Sequence, residues 1–166
     1  MLNHPYIKNL EMRFRDGGVV KIDITEKEIV ASIFSGEKLS LLSNELELLP
    51  VMNELKNFDY PVIRNTRLNS LKYFRTFQDS TVLPGYKIAR ACKILGGEIA
   101  ANLSEIDLRK GGDIILVFSD MKPPVICSAR GIAEQILTLR EIREMGKQVE
   151  LTKDVEYIDM RYSGKI

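Results

Sequence analysis

Apolar residues alternate with polar ones along several stretches of this chain and recur every third or fourth position along others, so the pattern predicts both strands and helices. In Val20-Lys21-Ile22-Asp23-Ile24 the apolar positions Val20, Ile22 and Ile24 line one face of a strand. Asp16-Gly17-Gly18 just before it is a turn signal, because glycine tolerates positive φ, so residues 10–15 and 19–34 read as a hairpin. Residues 3–9 ahead of it read as the end of a helix. Leu39 to Leu49 reads as a second hairpin around Ser43-Asn44, and Tyr60 to Arg64 as another short strand, after which Asn65 or Thr66 is placed to cap a helix.

Helical spacing marks residues 67–78 and 85–96, with Leu83-Pro84-Gly85 as a break between them. Tyr86, Ala89, Ile94 and Leu95 supply an apolar stripe on the second of these, and Gly96-Gly97 ends it. Three strands are then expected, Glu105 to Arg109, Asp113 to Phe118 and Val125 to Ser128, joined by the turn residues at 110–113 and 120–124. Ala133, Ile136, Leu137 and Leu139 to Ile142 form a helical pattern that Gly146 closes, with Lys147 near its carboxyl end, where positive charge is favoured. The last expected element is a strand with two chemical faces. Ile158, Met160 and Tyr162 fall on one side of it, and Tyr157, Asp159 and Arg161 on the other.

With 166 residues, 45% of them hydrophobic, the chain is long enough to bury a substantial core. The net charge of +1 argues against a nucleic-acid binder, which needs a strongly basic stripe, and against an acidic disordered tail. The longest strongly apolar run, Ile114 to Phe118, is bounded by Asp113 and Asp120 and suits a buried strand, not a membrane helix. No signal peptide follows Met1, since a basic segment leading into a long apolar core is missing.

Candidate chemistry is sparse. His4 is the single histidine and the two cysteines, Cys92 and Cys127, lack metal-ligand spacing, so no zinc or haem site is expected and the thiols read as buried and free. The glycine pairs at 17–18, 96–97 and 111–112 are not followed by the residues of a phosphate loop and read as turns. Asp107, Asp113, Asp120 and Asp159 sit at separate strand ends without calcium-loop spacing. Neither catalysis nor a cofactor nor a small-molecule substrate is expected, which leaves binding. Tyr157, Arg161 and Tyr162 are residue types that carry binding energy at interfaces, aromatic rings by their large area and arginine by its planar fork of donors, and Asp159 accompanies Arg161 on one face.

Tyr157-Ile158-Asp159-Met160-Arg161-Tyr162 resembles the "Y-[IV]-D-[LM]-R-Y" strand near the end of the extracytoplasmic region of the bacterial division proteins of the FtsQ/DivIB family. At the other end, His4-Pro5-Tyr6-Ile7-Lys8-Asn9 and Val20 to Lys27 resemble the second half of that family's POTRA module, with Glu26-Lys27 at its "E-R" pair and Val30-Ala31 at its "V-A". Ile29 replaces the family's proline, and Asp16-Gly17-Gly18 its usual turn. The resemblance is clearest over residues 4–64 and 103–166.

That resemblance implies an α+β fold: a partial POTRA module over residues 1–34, then a mixed, mainly antiparallel sheet with flanking helices over 35–166. It implies a membrane-anchoring helix and the first part of the POTRA module ahead of Met1, and a place on the periplasmic side of the inner membrane. It also implies a non-enzymatic role in septum formation, in which Tyr157, Asp159, Arg161 and Tyr162 meet divisome partners of the FtsB/DivIC and FtsL type by strand addition at a sheet edge. Two other readings stand beside it. One is a POTRA-type module of an outer-membrane assembly or secretion protein, which requires repeats that are not visible here. The other is a small enzyme with its site in residues 67–102.

Overall fold

The computed structural model describes residues 4–35, 38–52, 59–66, 68, 72–76, 79–109, 112–146 and 155–161. Its first element is the expected hairpin: β1 (Ile7–Arg15) pairs antiparallel with β2 (Val19–Glu26) through Asp16-Gly17-Gly18. Gly17 and Gly18 take φ of 82° and 78°, a backbone region that costs a residue with a Cβ but not glycine. The hairpin is a two-stranded sheet of its own. The helical end expected over residues 3–9 is absent among the described residues. Pro5 and Tyr6 form a turn, Ile7 donates its N–H to the His4 carbonyl at 3.2 Å, and β1 begins at Ile7. So few residues around a proline cannot repay the cost of a helical nucleus, whereas pairing with β2 satisfies the backbone.

The remaining strands form one sheet in the order β10-β9-β8-β7-β6-β3-β4-β5. They are β3 (Ile29–Ser35), β4 (Lys38–Ser43), β5 (Leu48–Pro50), β6 (Val62–Arg64), β7 (Leu103–Leu108), β8 (Asp113–Phe118), β9 (Val125–Ser128) and β10 (Ile158–Asp159). Pairing is antiparallel for β3–β4, β4–β5, β7–β8 and β8–β9, and parallel for β3–β6, β6–β7 and β9–β10. The architecture is therefore mixed α+β with a mainly antiparallel sheet. Residues 19–34, expected as one strand, are two: the ladder with β1 stops at Glu26, and β3 runs beside β4 and β6 in the larger sheet. Residues 34 and 35 thus belong to a strand paired with β4, with Phe34 opposite Leu39 and Ser35 opposite Lys38.

Three helices are present among the described residues: α1 (Leu83–Leu95), α2 (Gly97–Asn102) and α3 (Ile132–Gly146). Leu83-Pro84-Gly85 starts α1 instead of breaking the chain, because a proline in the first turn lacks only an N–H that has no helical partner there. The buried stripe of α1 is Tyr86, Ile88, Ala89 and Cys92, while Ile94 is 73% exposed and lies off it. Gly85 lets this helix approach the sheet, since a Cβ there would sit 3.1 Å from Ile63 Cγ2. No helix is seen among the described residues of 67–78; Tyr73 and Phe74 lie in a turn and Thr76 bridges to Glu47. Among the described residues, Asn65 and Thr66 cap no helix. Asn65 takes a φ of 57° and donates to Asp107, and the Thr66 hydroxyl donates to the Phe34 carbonyl at 2.9 Å.

The core lies between the helices and one face of the sheet, where Ile33, Leu42, Ile63, Ile106, Leu116 and Val125 meet Ile88, Ala89, Ile136 and Leu139. Fully burying each of the larger side chains stabilises by ~1.5–3 kcal/mol. Cys92 on α1 and Cys127 on β9 join this core as free thiols, and burial pushes each up to about 12. Arg143 on α3 lies over the Phe118 ring at 4.7 Å and pairs with Asp120. On the opposite face a small cluster of Ile29, Leu41 and Leu49 receives Tyr6, whose hydroxyl donates to the Pro50 carbonyl. The hairpin base is fastened here too, by Lys27 to Glu47 at 2.6 Å and by Lys8 to Glu45. No described helix is long and apolar enough to cross a membrane.

Candidate partner-binding strand

β10 joins the sheet last in sequence and at its end in space, running parallel to β9 with Ile158 opposite Val125 and Asp159 opposite Ile126. Ile158 donates its N–H to the Pro124 carbonyl at 3.0 Å, and Met160 to the Ile126 carbonyl at 2.8 Å. Main-chain groups alternate sides along a strand, so those of Tyr157 and Asp159 point away from β9. No described strand pairs with that outer edge. The side-chain alternation matches the sequence pattern. Met160 is buried in the core and Ile158 packs against it, while Tyr157 is 52% exposed on the other side.

Arg161 organises this end of the sheet. Its Nε and Nη2 donate to Asp159 Oδ1 and Oδ2 at 2.9 and 2.6 Å, and its Nη1 donates to both carboxylate oxygens of Asp113 at 3.1 Å. The Arg161 backbone N–H also donates to Asp159 Oδ1 at 3.0 Å. Because Asp113 opens β8, the guanidinium reaches across β9 and clips the first strand of a three-strand set to the third. Planar, delocalised donors suit such a two-carboxylate fork, which a lysine ammonium could not reproduce. The hydrogen bonds from Arg161 hold the Asp159 carboxyl below the usual carboxylate range, and the two carboxylates in turn raise the guanidinium.

Of the residues the sequence singles out, the structure brings Asp159 and Arg161 into one network and leaves Tyr157 half-exposed beside them; Tyr162 lies outside the described residues. Asp113 is the participant that sequence reasoning missed as a partner. It is read there as a strand-end carboxylate, and a separation of 48 positions from Arg161 leaves no local signal. Asp107 binds Arg109 at 3.0 Å and Asn65, and Asp120 binds Arg143, so the four aspartates fall into three groups, with Asp113 and Asp159 sharing Arg161. Among the described residues, no group of three or more His, Cys, Asp or Glu side chains is placed to hold a metal.

Residues 67–102 contribute to a pocket of about 330 Å³ lined by Ile29, Tyr60, Ala89, Cys92, Lys93 and Leu103, among others. Asp59 lines it beside Tyr60, and the amine and thiol among its groups are engaged or silent. Lys93 Nζ donates to the Ile29 carbonyl at 2.6 Å and pairs with Glu28 at 3.0 Å, and the Cys92 thiol stays protonated at neutral pH, which removes it as a nucleophile.

No protein-family model matches this chain, and no curated protein matches it in sequence. Among solved structures it is similar to the major extracytoplasmic domain of the trans isomer of the bacterial cell division protein DivIB from Geobacillus stearothermophilus. The identity is 14% and the TM-score 0.39, over 79% of this chain and 98% of that one. A TM-score below 0.5 does not assign the chain to a family.

Proposed function

We propose that this chain is a non-enzymatic scaffold module of an FtsQ/DivIB-like division protein, acting on the extracytoplasmic side of the inner membrane and tethered there by one helix. The observation that carries the reading is the outer edge of β10, where the main chain of Tyr157 and Asp159 meets no described strand. The motif that resembles the family's terminal strand supplies that edge over its described residues, Tyr157 to Arg161, and continues in sequence to Tyr162. A strand from a DivIC/FtsB-like or FtsL-like partner pairs with it, main-chain hydrogen bonds supplying affinity and a few side chains supplying specificity. Tyr157 and Tyr162 are the aromatic anchors in this reading. Arg161 has a double role, because it also holds Asp113 and Asp159 in place. The partial POTRA unit over residues 1–34 and the division of the chain after it belong to the same proposal.

Titration with the periplasmic segment of a DivIC/FtsB-like partner tests the reading. Tyr162→Ala is expected to weaken binding by ~2 kcal/mol or more, the range for a buried aromatic hot spot, and Tyr157→Ala in the same direction. Arg161→Glu is expected to slow association by reversing local charge. Lys8→Ala, distant in the chain, should leave affinity unchanged. Folded Tyr157→Ala and Tyr162→Ala proteins that both bind like the parent would remove this strand from the interface.

A further inference from the structure

Leu10, Met12 and Phe14 of β1 stand directly opposite Ile24, Ile22 and Val20 of β2, so the hairpin carries three apolar cross-strand pairs on one face. All six side chains are exposed, from Leu10 at 42% to Phe14 at 80%. The other face carries Glu11, Arg13, Lys21 and Asp23, which pair among themselves as Arg13–Glu11 at 2.8 Å and Lys21–Asp23 at 2.9 Å. One side is thus satisfied by water and internal ion pairs, and the other is not. A free two-stranded hairpin is marginal in water, and an exposed apolar patch of this extent marks an interaction surface.

We infer that the occupant of this face is a second copy of the same hairpin, packed face to face about a two-fold axis. Six side chains at roughly 80–120 Å² each present on the order of 600 Å², so two copies bury about 1,200 Å², the lower bound for a specific interface. Shape also fits. Two-fold packing with the hairpins antiparallel places the Phe14–Val20 pair at the tip of one copy over the Leu10–Ile24 pair at the base of the other, and Met12–Ile22 over its own equivalent. Each row then joins comparable total volumes, which two sheets spaced about 10 Å apart require. None of the six positions carries a charge, so nothing ionic is buried. The polar face carries Arg13, Arg15 and Lys21 against Glu11 and Asp23, an excess of a single positive charge, far short of the lysine- and arginine-rich face that draws a strand pair onto an anionic membrane surface.

Light scattering coupled to size exclusion, run on the full 166-residue chain from low to high micromolar concentration, tests this. The expected mass rises toward twice that of one chain with concentration. The double variant Met12→Lys, Ile22→Glu should stay monomeric over the same range, with an unchanged circular dichroism spectrum. Met12→Cys should be crosslinked between chains by a short bis-maleimide, because Met12 lies beside the axis at a sheet spacing of about 10 Å, too wide for a direct disulfide, whereas Glu11→Cys on the polar face should not. A parent chain that is monomeric throughout overturns the proposal. So does a dimer that survives the double variant, or hairpin binding to vesicles of phosphatidylglycerol and phosphatidylethanolamine without self-association. Because the β10 edge takes no part, these outcomes are independent of whether a division partner binds there.

Discussion

The hairpin at the start of the chain and the sheet that follows show the same alternation of apolar and polar residues but differ in what happens to it. Val20, Ile22 and Ile24 are exposed, whereas Ile33, Leu42, Ile106 and Leu116 are fully buried. Alternation therefore specifies a strand with a face, and burial requires a second layer. In the larger sheet α1 and α3 supply that layer; among the described residues the hairpin is fastened to the rest of the molecule at its base. Stability should be distributed accordingly, high where the sheet is covered and low where it is not.

The widest separation of the two regions is expected from large-to-small substitutions. Leu116→Ala removes a fully buried side chain and should lower the unfolding free energy by ~2–5 kcal/mol, while Ile22→Ala, in dilute monomeric solution, should change it by less than ~0.5 kcal/mol. Urea denaturation of both variants measures this directly, and equal losses would break the comparison. A smaller effect is expected at the junction. Glu47→Ala leaves the half-buried Lys27 without its 2.6 Å partner and should cost about 1 kcal/mol, and it should speed amide exchange in β1 and β2 while leaving β7 and β8 unchanged.

The smallest effect concerns pH at the far end of the sheet. Arg161 lowers the folded-state value of Asp159, so this pair contributes stability that is fully present above the ordinary carboxylate value of about 4 and is lost as pH falls through the lowered folded value. The Asp159 carboxyl followed by NMR should titrate below that ordinary value. In Arg161→Ala it should return to it, and the amides of Ile158 and Met160 should lose protection. An Asp159 titration that Arg161→Ala does not move would separate this network from the anchoring of β10.

What the sequence made legible was local. The Asp16-Gly17-Gly18 turn, the bounds of Asp113–Phe118 and Val125–Ser128, and the helix closing at Gly146 each rest on signals within a few residues of themselves. Partners far apart in the chain were not legible. Ile29–Ser35 looks continuous with β2 because its apolar pattern continues, and only its pairing with β4 and β6 separates it. Thr66 and the residues after it resemble a helix start, yet the Thr66 hydroxyl is taken by Phe34. At the candidate site, the motif from Tyr157 to Arg161 stood out in one dimension. Asp113, which the guanidinium also binds, required the third.

The two buried thiols also act as a clock. Cys92 rides on the helical layer and Cys127 on the sheet beneath it, and with both thiols pushed up to about 12 neither reacts while the core is closed. Each labelling event therefore times an opening of the layer that carries it. If α1 lifts before the sheet parts, Cys92 is modified ahead of Cys127; if the core opens as one unit, the two share a single rate.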